Sequence, residues 1–158
     1  MNLTKTFVIT YQNSQVLKKL VPAGGIGRFR KVDEIEEDSV CPLQPLGDEY
    51  DNILLESMSH FGQEIGVIER GLWIFGNVGL HTDEIYPKTH VAAVIPVVGS
   101  GTLYVADGPE IKESRIGKSK YGGKLFTGVI FDDRKPHCYL GNSLMLAIIC
   151  GVRRELLN

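Results

Sequence analysis

The residues with the clearest capacity for chemistry are His81 and Asp83, separated by Thr82, and a second histidine far downstream, His137. Imidazole nitrogens suit divalent first-row metals, iron among them, and a carboxylate adds a hard anionic donor. Two histidines and one carboxylate on one face of an ion leave its other positions open for substrate and dioxygen. On an extended strand residues two apart project to the same side, so His81 and Asp83 can reach one ion together while Thr82 points away. His137 lies 54 positions beyond Asp83, a separation that lets several strands intervene and excludes the local ligand spacing of a zinc finger. His81, Asp83 and His137 are therefore the candidate metal ligands. The competing reading is three ordinary surface and turn residues, since a His-x-Asp triplet also forms simple hydrogen bonds or ion pairs at strand ends.

The surrounding chain reads as strands. Apolar runs at 91–98 and 102–106 are split by Gly99-Ser100-Gly101, and two more occupy 126–131 and 144–152, which leaves His137 in a turn-rich connection between the last two. Residues 69–78 read as a strand that leads to His81 and carries the only tryptophan, Trp73. A tryptophan there either walls the site or packs in the core. Upstream, residues 3–10 alternate as a strand and 14–20 suit a short helix. The spacing of Tyr50, Ile53, Leu54, Met58 and Phe61 predicts a helix within 48–63 packed on the outside of the sheet. Residues 22–27 and 41–45 read as loops; Gly24, Gly25 and Gly27 lack the Lys-Ser/Thr of a phosphate loop. The acidic run 33–38 reads as a solvated face, His60 and His90 as structural, and the Gly-, Lys- and Ser-rich stretch 107–123 as a mobile surface segment placed to act as a lid.

Gly79-Leu80-His81-Thr82-Asp83-Glu84, the glycine-punctuated strand pair behind it, and Gly128-Val129-Ile130-Phe131-Asp132-Asp133 leading into Pro136-His137 resemble the core of the Fe(II)- and 2-oxoglutarate-dependent oxygenases. The resemblance runs from near Trp73 to Arg154. It implies a mainly β fold, the double-stranded β-helix or cupin-like jelly roll, with one or two flanking helices on the N-terminal side. Residues 1–158 would form a single domain, in which 1–70 supply a strand and supporting helices and 71–154 the metal-binding barrel. The resemblance further implies Fe(II) held by His81, Asp83 and His137, 2-oxoglutarate as cosubstrate, and hydroxylation of a substrate with release of succinate. Such enzymes also use an arginine on the strand after the distal histidine, whose planar fork meets the far carboxylate of the cosubstrate. Ala147 stands ten residues beyond His137, where that arginine often is, and the nearest candidates are Arg153 and Arg154. Arg153 shares parity with Ala147, Ile149 and Gly151 and faces their side if no bulge intervenes; the alternative is a solvated charge cluster. The phenol of Tyr104 is a further candidate contact to a carboxylate or substrate, or else packs at the rim.

At 158 residues with 43% hydrophobic content, the chain can bury the core of one compact domain. A net charge of −2 provides no basic field for nucleic acid, which favours a small molecule or a polypeptide side chain as substrate. Three cysteines, Cys41, Cys138 and Cys150, form no disulfide framework and suit a reducing, cytoplasmic setting; Cys138 reads as a small buried thiol. No apolar run approaches the length needed to cross a bilayer, and no membrane partner is expected. Two other readings arise from the same residues: a cupin-like metalloenzyme without 2-oxoglutarate, supported by Ala147, and a non-catalytic β-sandwich binding module in which His81, Asp83 and His137 never meet.

Overall fold

Residues 91–98 contain no charged side chain, as a strand covered on both faces requires. In the computed structural model they form strand β5 (His90–Val98), and their side chains divide between two apolar clusters. Val91, Ala93, Ile95 and Val97 enter one, and Ala92 and Val94 the other. The structure describes residues 4–23, 40–59, 66–83, 90–118, 126–141 and 144–153, leaving aside the side chains of Cys41, His90 and Arg153. The remaining elements are β1 (Lys5–Ile9), α1 (Tyr11–Leu17), β2 (Val40–Pro45), α2 (Asp51–Met58), β3 (Val67–Phe75), β4 (Val78–His81), β6 (Ser100–Asp107), β7 (Glu110–Lys118), β8 (Phe126–Phe131), β9 (His137–Gly141) and β10 (Met145–Arg153).

Every pairing among these strands is antiparallel. A large sheet runs β2-β3-β10-β5-β8 with β1 on the outer side of β8, and a small one runs β7-β6-β9-β4. The two sheets are joined through a short β7–β8 pairing at Gly117↔Thr127 and Lys118↔Phe126. Consecutive strands β5 and β6 therefore lie in different sheets, and the chain crosses between them at Gly99. That glycine has φ +105°, and a Cβ on it would stand 2.6 Å from the Leu144 carbonyl, so only glycine fits the corner. This is a double-stranded β-helix, a mainly β jelly roll with two short helices on its N-terminal side.

The helices cover the large sheet. Thr10 caps α1 by accepting from the Asn13 amide at 3.1 Å. Ile53, Leu54 and Met58 of α2 bury their side chains with Phe7, Leu72, Ile74 and Ile148 in the outer cluster. Arg70 of β3 clasps Asp51 of α2 through Nε at 3.0 Å and through Nη2, fixing helix to sheet. The inner cluster, between the sheets, holds Phe75, Val94, Leu103, Ile116, Phe131, Tyr139, Met145 and Ala147. Pro96 interrupts the ladder of a central strand, and the β10–β5 register shifts beside it, between Leu146 and Ala147, as a proline within a sheet requires.

Four expectations are corrected. Residues 41–45 are not loop: they belong to β2, which pairs with β3 although Pro42 and Pro45 donate no ladder bonds, an arrangement an edge strand tolerates. The stretch from Asp107 is not a free surface segment, because Asp107 and Glu110 close a hairpin and β7 runs to Lys118 fully registered on β6. The strand expected over 69–78 breaks at Gly76-Asn77, where β3 ends and the chain changes sheets. His137 is the first residue of a strand, β9, rather than part of a turn. The glycines at 24, 25 and 27, the acidic run 33–38, His60, residues 119–125 and Arg154 lie outside the described residues.

Candidate metal centre

Strands β4 and β9 build the site. His81 and His137 are register partners, and Val78 partners Tyr139. Three steps along β4 thus match two along β9, so β4 carries one extra residue, a bulge at Gly79-Leu80. Strict alternation would put Val78 and His81 on opposite faces. The bulge returns both to the interior, while Leu80 is left 72% exposed outside. Beyond the end of β4, Thr82 is exposed and Asp83 turns inward, held by its amide donating to the Asp133 carbonyl at 2.9 Å.

One donor atom from each of His81, Asp83 and His137 lies within 4.8 Å of the other two. Asp83 Oδ1 is 3.4 Å from His81 Nε2, and Oδ2 is 3.4 Å from His137 Nε2. Charge-assisted hydrogen bonds close to about 2.7–2.9 Å, so these contacts are loose ones. Donors bound at roughly 2.1 Å to one ion stand about 3.0–3.4 Å apart when adjacent; the two Asp83–imidazole contacts match that spacing, each through its own carboxylate oxygen. Each imidazole also has its other nitrogen on a backbone carbonyl, His81 Nδ1 on Gly79 at 2.7 Å and His137 Nδ1 on Lys135 at 2.8 Å. A carbonyl only accepts, so Nδ1 carries the hydrogen and in a neutral ring the Nε2 lone pair faces the carboxylate. Two lone pairs and an anion pointing at one another call for a cation between them, and the backbone carbonyls set the tautomer that metal ligation needs.

Without a metal the cation that answers Asp83 is a proton on the imidazoles. The Asp83 carboxyl sits below the usual carboxylate range: burial raises it, but the His137 hydrogen bond and the charges of His137 and His81 together lower it further. His137 is shifted upward, because its hydrogen bond to Asp83, the Lys135 carbonyl and the charges of Asp83 and Asp133 overcome burial. Burial and the neighbouring Asp83 push Asp133 up to about 6. His137 is buried, with the Phe131 ring edge-on at 4.9 Å, whereas the His81 and Asp83 side chains are 35% and 36% exposed. Approach is therefore from one side.

That side opens into a cavity of about 630 Å³ between the sheets, bordered by His81, Asp83, His137 and Asp133 and walled by Trp73, Phe75, Phe131, Tyr139 and Ile149. Trp73 thus walls the site. Tyr104 does not reach the cavity: its register partner is Cys138, on the face opposite Leu103 and His137, so alternation turns the phenol outward. Ala147 is wholly buried in the inner cluster. Arg153 ends β10 opposite His90; the register shift between Gly151 and Val152 in the β10–β3 ladder puts its extra residue, Ile68, on β3, so β10 itself keeps its alternation from Ala147 onward. Arg70 borders the cavity, but it shares parity with Leu72 and Ile74 of the outer cluster and its guanidinium is committed to Asp51. Asp133 and Phe131 are site residues that sequence reasoning did not single out; their signal was position, four and six residues before His137 in the stretch that enters the site.

No protein-family model matches the chain, and neither does any curated protein sequence. Solved structures do match in fold. A prolyl hydroxylase from Trichoplax adhaerens, in complex with a hypoxia-inducible-factor oxygen degradation domain peptide fragment, superposes with a TM-score of 0.58 at 11% identity, covering 99% of this chain and 86% of that one. The non-haem alpha-ketoglutarate-dependent carbocyclase SnoK from nogalamycin biosynthesis gives 0.53 at 11% identity, covering 96% and 79%. A Pseudomonas putida prolyl-4-hydroxylase gives 0.50 at 16% identity, covering 98% and 94%. These structures share the double-stranded β-helix fold with this chain.

Proposed function

We propose that the chain is an Fe(II)- and 2-oxoglutarate-dependent oxygenase that hydroxylates its substrate. The observation that carries this reading is the convergence of His81, His137 and the Asp83 carboxylate, with one donor atom of each within 4.8 Å of the other two, at the edge of a cavity walled mostly by apolar side chains. The donor set suits iron, and the oxygenase fold of the structural neighbours supports it. Bound iron and cosubstrate would supply the oxidising chemistry. The chain's own part is to hold His81 and His137 in one tautomer through the Gly79 and Lys135 carbonyls, to keep Asp83 ionised, and to exclude water with Phe131, Trp73 and Phe75. Arg153 is our choice as anchor for the far carboxylate of 2-oxoglutarate, with Arg154 as the alternative. A small molecule or a polypeptide side chain is the substrate class; the Trichoplax neighbour holds a peptide fragment. The free thiols of Cys138 and Cys150 support a cytoplasmic setting, and no described helix is long and apolar enough to cross a membrane.

Succinate formation from 2-oxoglutarate, measured with and without Fe(II), tests the reading. Iron-dependent succinate is expected, and its absence with iron bound would favour the second reading, a metalloenzyme of similar fold without this cosubstrate. Ala147 at the position where an arginine often stands is the observation behind that alternative. A purely structural sandwich, in which the three ligands stay apart, loses its premise because they meet.

A further inference from the structure

Asp133 is 6% exposed and borders the cavity beside the metal ligands. The two cations next to it in sequence, Arg134 and Lys135, are engaged elsewhere. Arg134 forks onto Asp132 with bonds of 3.1 and 3.2 Å, and Lys135 pairs with Asp107 across the hairpin. Among the described residues no lysine or arginine forms an ion pair with Asp133. With Asp83 and a dianionic 2-oxoglutarate both bound, a divalent metal would have no positive charge left to offset Asp133, which is not within ligating reach of the three donors. A buried carboxylate without a counter-charge is costly and gains most from a ligand that brings a cation with N–H donors. Much of the rest of the wall is apolar, with the rings of Trp73, Phe75 and Phe131 in it, while Glu69 and the Asp51-bound Arg70 also border the cavity; ring faces attract organic cations while burying apolar stems.

We propose that Asp133 recognises a protonated amine or guanidinium on an apolar stem, and that this is the substrate chemistry of the cavity. The proposal deepens the oxygenase reading and rests on it for the reaction after binding. Its test is a binding measurement on the protein loaded with Co(II) and 2-oxoglutarate, using the fluorescence of Trp73, the only tryptophan and a wall of the cavity. The probes are hexylammonium, hexanol and hexanoate, which share a stem and differ in charge, together with acetyl-Gly-Lys-Gly-amide to separate a free amine from a polypeptide side chain. Hexylammonium should bind at least roughly tenfold tighter than hexanol, the size of a charge-assisted hydrogen bond, and hexanoate weakest. Asp133→Asn should abolish that preference and leave hexanol binding unchanged. If it also weakens hexanol, Asp133→Glu, which keeps the charge, should restore the preference for the amine. Equal binding of amine and alcohol by the wild type, or a preference that survives in Asp133→Asn or is not restored by Asp133→Glu, overturns the proposal. The Co(II) absorption band is read separately: failure to load metal defeats the oxygenase reading, and loaded protein indifferent to the amine defeats only this one.

Discussion

His81 and His137 face one another across the β4–β9 ladder with ring centroids 4.2 Å apart. Two imidazoles so placed, each with Nδ1 on the backbone carbonyl two residues before it, present Nε2 to the same carboxylate from two sides. A cation satisfies all three at once.

Fe(II) or Co(II), titrated anaerobically, should bind the wild type and fail to bind the His81→Ala, Asp83→Ala double variant, with a loss of more than about 100-fold. Bound metal should also raise resistance to unfolding, by about 2.7 kcal/mol when free metal stands at 100 times its dissociation constant. Wild-type and variant proteins with the same affinity would remove the metal assignment.

Between the two candidate anchors, Arg153→Ala should weaken 2-oxoglutarate binding by roughly tenfold or more, the loss of a charge-assisted pair, and Arg154→Ala should leave it near wild type. Calorimetry on the Co(II)-loaded protein measures both. Undiminished affinity in both variants would take the anchor away from this end of β10.

In the metal-free protein the site makes stability depend on pH in three ways. Asp83, held low, contributes above its ordinary value of 3.8 and loses that contribution as pH falls through its folded value. His137, held high, contributes fully below 6.5 and loses it as pH rises through its folded value. Asp133 has the opposite sign to Asp83: with its carboxyl pushed up to about 6, ionisation weakens the fold as pH climbs from 3.8 through that value. Asp133→Asn should therefore gain on the order of 1 kcal/mol at pH 7.5 and close to nothing at pH 4, read from urea midpoints. A gain of the same size at both pH values would contradict it.

The Tyr139 hydroxyl is buried without a hydrogen-bond partner among the described residues, tucked against Gly101 and Gly141, where an added Cβ would come within 2.3 and 2.8 Å of it. Burial drives its ionisation far upward, so it remains a donor with nothing to donate to. Tyr139→Phe should leave unfolding stability within about 1 kcal/mol of wild type or raise it, since removing an unsatisfied polar atom relieves a desolvation cost. A loss of several kcal/mol would show that the hydroxyl has a partner after all.

Much of this site could be read from residue types alone. The identity of His81, Asp83 and His137 carries ligand chemistry irrespective of fold, and the uncharged run 91–98 announces a strand buried twice. What stayed hidden depends on register and on neighbours in space. The one-residue bulge at Gly79-Leu80 leaves no compositional mark, although it decides which way His81 points. Strand β2 was obscured by its two prolines, which an edge position permits. Strand β7 was obscured by its charges, because its sequence Glu-Ile-Lys-Glu-Ser-Arg-Ile-Gly-Lys exposes most of one face. Tyr104 and Trp73 illustrate the same limit: one turns outward and the other inward, and only the strands beside them determine which.

Strand β4 spans four residues and sits at the end of the small sheet, paired among the described residues with β9 alone. Two of the three donors hang from this lightly tethered rim, whereas the third belongs to its inner neighbour. Loading an ion would rivet the rim to that neighbour, so amide exchange near His81 should slow on metal addition while the sheet beneath the helices stays as protected as before.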